Sequence, residues 1–144
     1  MRNLVPTYVI QNTYATNSLR DMLGFAVTAT TINKVIDAVS ESSLYEAHEE
    51  RPGAATILGA ARILVSLKPE DWSSVDIEPY MGEISLNWRN GRDKRVKAIV
   101  PKGGLHFATY HEARQNGRVV DHSLRQGVNQ DYLAERLDWM HAPL

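Results

Sequence analysis

The sequence predicts an α+β domain: a helical hairpin and a C-terminal helix packed on one face of a four-stranded antiparallel meander. Two observations carry that expectation. Apolar residues recur at helical spacing up to Leu67 and at a period of two after Pro79. Glycine-bearing reversals at Asn90-Gly91, Gly103-Gly104 and Asn116-Gly117 then divide the second stretch into hairpins. At 144 residues, 43% hydrophobic and 23% charged, the chain suits a single globular domain over 1–144.

Residues 1–27 read as irregular or as an edge strand at Tyr8, Val9 and Ile10, with Leu19 to Val27 a helical turn or a buried loop. The helical hairpin is expected over 28–67. Ile32, Val35, Ile36 and Val39 form the first stripe, with Thr30 or Thr31 placed to cap it. Arg51-Pro52-Gly53 separates this from a second stripe of Ile57, Leu58, Ala61, Leu64 and Val65. Lys68-Pro69 stops that helix, because the residue before proline avoids helical angles.

The meander is expected over 76–125. Ile84, Leu86 and Trp88 alternate with polar residues, as do Val96, Ala98 and Val100. Leu105 to His111 and Arg118 to Leu124 supply the third and fourth strands. Opposite residues in a hairpin share a face, so register can be tested. A bulged loop of Arg89-Asn90-Gly91, Gly91 left-handed, places Ile84 opposite Val96; a two-residue Gly103-Gly104 turn places Phe107 opposite Val100. One face is then apolar and the other carries Arg95 and Lys97. A last helix over 129–141 is capped by Asn129, carries Asp131 in its first turn, buries Leu133, Leu137 and Met140, and ends before Pro143.

Composition narrows the chemistry. A net charge of −1 is neither the strongly basic footprint of a dedicated nucleic-acid binder nor the carboxylate excess of a DNA mimic. With no cysteine there is no disulfide, zinc–thiolate site or thiol nucleophile. No apolar run reaches the ~18 residues of a membrane span, and the N-terminus makes a poor signal peptide, so the default location is cytoplasmic. The sequence calls for no cofactor and shows no nucleophile elbow or phosphate-cradling loop.

Three side-chain groups remain. Arg89, Arg92, Lys94, Arg95, Lys97 and Lys102 fall within fourteen residues, and Arg95 and Lys97 with His106 and Tyr110 can form a basic, aromatic sheet face. Asp37, Glu41, Glu46, Glu49 and Glu50 form an acidic counterpart, and charge of opposite sign at two ends suits docking to a charged protein surface. His111, Glu112, Asp121 and His122 could form a metal-dependent hydrolase or nuclease site. A two-residue turn sets Glu112 against Asp121, however, and a three-residue turn sets Arg114 against Arg118. Glu83 with His106 is a further acid–base pair. Trp88 belongs to the core, and Trp139, off the stripe of its helix, is the candidate interface anchor.

Leu64, Leu67, Pro69, Ile77, Pro79, Gly82, Glu83, Ile84, Leu86, Trp88 and Gly91 resemble a pattern of small uncharacterised bacterial and phage α+β proteins. In these, a helix ending in Leu-x-x-Leu-x-Pro precedes a Gly-Glu-Ile-x-Leu-x-Trp strand. The resemblance covers about a fifth of the chain, extends loosely to residue 111, and implies a fold without an activity. In size and make-up the chain is also similar to anti-defence inhibitors such as anti-CRISPRs, antitoxins and immunity proteins. The expectation is a non-enzymatic module that binds a protein target through Arg92, Lys94, Arg95, Lys97 and Trp139. Nucleic-acid binding by the basic face is the alternative, and homodimerisation through an edge strand stays open.

Overall fold

Pro79 lies inside a strand rather than ahead of the first one, so among the described residues the sheet has five strands and not four. The computed structural model describes residues 27–143; the readings made on residues 1–26 lie outside them. The strands are β1 (Asp76–Tyr80), β2 (Glu83–Asn90), β3 (Lys94–Val100), β4 (Ala108–Gln115) and β5 (Arg118–Arg125), in the order β1-β2-β3-β4-β5 and all antiparallel. β1 is an edge strand, where proline's missing N–H can face away from the ladder.

The helices are α1 (27–39), α2 (Ala54–Val65), α3 (Pro69–Ser74) and α4 (Gln130–His141), with a 3₁₀ turn at Ser42–Leu44. Thr31 is not a cap: it lies a turn inside α1, its hydroxyl donating to the Val27 carbonyl at 2.9 Å. Pro69 does more than stop α2. It opens α3 from its first turn, where a missing N–H costs nothing. Asn129 caps α4 as its type suggests, accepting from the Tyr132 N–H at 2.9 Å.

α2 and α4 lie across β2 and β3. Ile84, Leu86, Trp88, Val96, Ala98 and Val100 point at them and are buried, together with Leu64, Leu133, Leu137 and Met140. Burying each large side chain contributes about 1.5–3 kcal/mol. Trp88 donates its indole N–H to the Asp71 carbonyl at 2.8 Å, and Trp72 donates to Thr31 Oγ1 at 2.9 Å, so α3 ties α1 to the sheet. α2 approaches with its small residues: a Cβ on Gly59 would stand 2.6 Å from the Gly104 carbonyl oxygen. Ile36, Leu58 and Val65, expected in the stripes, are instead exposed.

Register corrects three expectations. The β2–β3 loop is Gly91-Arg92-Asp93, and Ile84 faces Val100 while Trp88 faces Val96. That shift from the expected pairing is even, so the faces stay as expected. β3 and β4 pair as predicted, Ile99 with Ala108 and Val96 with His111. Their connection, however, is Pro101 to Phe107 and not a tight Gly103-Gly104 turn, leaving Leu105 exposed and His106 at φ +57°. β4 and β5 keep the two-residue Asn116-Gly117 turn, with Gln115 opposite Arg118, but leave the register it anticipates farther along the strands. A bulge at Ala113/Arg114 pairs Arg114 with Val119, Ala113 with Asp121 and Glu112 with His122. One extra residue thereby avoids both the acid–acid and the Arg–Arg opposition.

Candidate functional site

Alternation along the strands leaves a second sheet face that no described helix covers. Its side chains form rows across the sheet. Arg89, Arg95, Glu112 and His122 stand opposite one another in one row, and Asp76, Asn87, Lys97, Tyr110 and Leu124 in the next. Glu78, Ser85, Ile99 and Ala108 make a third. This face is therefore acidic along β1 and β2 at Asp76, Glu78 and Glu83, basic at Arg89, Arg95 and Lys97, and apolar at Ile99, Ala108 and Leu124.

Glu112 organises the basic part. It is buried although it lies on the open face, because neighbouring side chains close over it. Tyr110 donates its hydroxyl to Oε1 at 2.8 Å, Arg114 donates Nε–H to Oε2 at 2.6 Å, and Arg95 Nε lies 3.6 Å from the same oxygen. The Arg114 hydrogen bond leads in holding the Glu112 carboxyl below its usual range, against the cost of burial. Burial, with the bond to Glu112, pushes the Tyr110 hydroxyl up. The Arg95 guanidinium lies 5.8 Å from the Tyr110 ring centroid. At the β2–β3 turn Arg95, Glu112 and Arg114 border a recess of about 360 Å³ that also takes in Arg89, Arg92 and Gly91.

The five residues expected to bind a partner are divided between the two faces. Arg95 and Lys97 are on the open face and Arg92 is exposed on the turn beside it. Lys94 and Trp139 come together on the covered face. The Lys94 ammonium donates to the carbonyls of Trp139 at 2.8 Å and Ala142 at 3.1 Å, closing the C-terminus of α4. Asn90 adds a bond to the Met140 carbonyl at 2.7 Å. The alternation of β3 already placed Lys94 with Val96 and Ala98. Lys102 and two of the acidic group are also engaged: Glu50 pairs with Lys102 at 2.5 Å, and Glu49 accepts the Met81 N–H at 3.0 Å.

The His/Asp/Glu group is split by the sheet. His111 and Asp121 are on the covered face, 3.5 Å apart, while Glu112 and His122 face each other on the open one. Among the described residues no three His, Cys, Asp or Glu side chains are arranged to hold a metal. His111 packs edge-on to Trp139, with centroids 5.0 Å apart, and burial pushes its pKa down against the pull of Asp121. Glu83 and His106 do share a recess, at the opposite end of the open face, with Ile99, Ala108 and Leu124.

Sequence reasoning missed Arg114 and the organising role of Glu112; the signals were the i, i+2 spacing of Glu112 and Arg114 on β4 and the β3–β4 register that sets Arg95 opposite Glu112. No helix of the described residues is long and apolar enough to cross a membrane. No protein-family model matches the chain, and no curated protein or solved structure matches it significantly.

Proposed function

We propose that the protein is a non-enzymatic binding module that acts by stoichiometric association with a protein target, an inhibitor of the anti-defence, antitoxin or immunity type. The observation supporting this reading is the uncovered sheet face with acidic, basic and apolar zones on one surface. Such a surface complements a partner of mixed charge. Arg92, Arg95 and Lys97 are the contacts assigned to it.

Nucleic acid is the second reading, favoured by Lys97 standing opposite Tyr110 beside Arg95. Two features weigh against it. Asp76, Glu78 and Glu83 on the same face would repel a phosphate backbone, and Tyr110 already engages Arg95 and Glu112 rather than offering a free stacking platform.

The test is affinity capture of tagged protein from its host, with nuclease and at low and high salt. One stoichiometric protein that survives both treatments, and is lost with Arg95→Glu/Lys97→Glu, is the expected result. Recovery of nucleic acid alone, released as salt rises, would replace the first reading by the second.

A further inference from the structure

Arg89 and Arg95 stand directly opposite each other on neighbouring strands, an arrangement that costs stability because like charges face across the ladder. The carboxylate in that row, Glu112, is on the far side of Arg95 and is shared with Arg114. Arg92 projects from the turn into the same recess. Four guanidiniums thus converge on one concavity in a chain whose net charge is −1.

The use of the nitrogens is informative. Glu112 engages Arg114 through Nε and draws Arg95 Nε to 3.6 Å. Arg114, held at Nε, keeps its two terminal amino groups for another acceptor. Arg95 lies within ion-pair range of the same carboxylate, and its buried Nε makes no hydrogen bond. Lys94 also borders the recess, but its ammonium is committed to the end of α4. Setting Glu112 and Asp93 against the four arginines leaves a surplus of at least two positive charges at the recess, before the Lys94 ammonium is counted. That surplus matches a dianion and exceeds what a single carboxylate or a phosphodiester brings.

From this geometry we infer that the recess between the β2–β3 and β4–β5 turns is a phosphomonoester-binding site, with Arg89, Arg92, Arg95 and Arg114 as ligands and Glu112 as the positioning residue of Arg114 and Arg95. Arginine is suited to this role because its fork donates in pairs to phosphate oxygens. The inference deepens the protein-binding reading, since a phosphorylated side chain on the partner would present this group. A free phosphate or nucleotide carries the same chemistry.

The test uses the full chain alone, followed by amide NMR during titration with inorganic phosphate, a nucleoside 5′-monophosphate, a phosphoserine peptide, its unphosphorylated form and a hexaglutamate peptide. Saturable shifts confined to the amides around Gly91 and Gly117 with the phosphate-bearing probes are expected. Arg92→Ala and Arg95→Ala should each weaken binding about tenfold, the effect of losing one charge-assisted contact. Glu112→Gln should weaken it with every arginine still present, and Arg92→Ala, on an exposed turn, keeps the test independent of folding. Tighter binding of the phosphopeptide identifies a protein source, and tighter binding of the nucleotide a small-molecule one. Absence of saturable shifts, or equal affinity for hexaglutamate, overturns the site. If phosphate fails while a protein partner is still captured, this inference falls and the binding reading stands; the reverse outcome separates them the other way.

Discussion

The Lys94 ammonium donates to the Trp139 carbonyl at 2.8 Å and lies 4.9 Å from the centroid of that residue's indole. A cation from β3 thereby satisfies the end of α4 and holds its tryptophan. Lys94 is buried, so Lys94→Met would leave two carbonyls without a donor. Unfolding in urea should show a loss of about 2 kcal/mol.

Gly104 should be intolerant for two separable reasons. Its φ is +73°, and a Cβ there would lie 2.1 Å from the Ala55 carbonyl oxygen. Gly117 has φ +77° but open space around it. Gly117→Ala should therefore cost only about 1 kcal/mol in a denaturation experiment, whereas Gly104→Ala should cost about 3 kcal/mol by adding backbone–backbone overlap.

Trp88 fills the centre of the covered face and bonds α3. Trp88→Ala should lower the unfolding free energy by about 4 kcal/mol. Trp88→Phe should recover most of the packing but not the bond to the Asp71 carbonyl. Calorimetry of the two variants separates the contributions.

His111 gives the fold an acid-sensitive point. Its folded pKa is depressed, chiefly by burial, and the groups around it are Asp121 and His122 on β5 and Arg136 on α4. Below the ordinary histidine value of about 6.5 the unfolded chain takes up the proton first. Stability contributed by the neutral ring is complete above that value and falls as pH drops toward the folded pKa. His111→Gln should flatten this limb of a stability-against-pH curve while leaving the limb due to Glu112, which lies below about pH 4.5.

Much of the fold was legible because burial enforces periodicity. Leu133, Leu137 and Met140 read as one helix face and are buried as one, and Ile84, Leu86 and Trp88 read as one strand face. β1 was not legible: Asp76–Tyr80 holds two acids and a proline, and only Ile77 is buried. α3 was missed because a helix this short has no stripe. The site was legible in composition but not in grouping. Alternation separated Arg95 from Lys94 and sets Glu112 beside Arg114 on one strand, yet the split of His111 from His122 depends on a bulge that no local pattern announces.

Because all the described helices lie on one side of the sheet, β2, β3 and β4 carry two interleaved messages. Alternate residues answer to the core, and those between them answer to whatever the protein meets. Drift in the second set leaves the first untouched, so lineages could exchange their binding chemistry at constant architecture. Mutational tolerance measured along these strands should rise and fall with every second residue, and relatives that share this scaffold need not share a target.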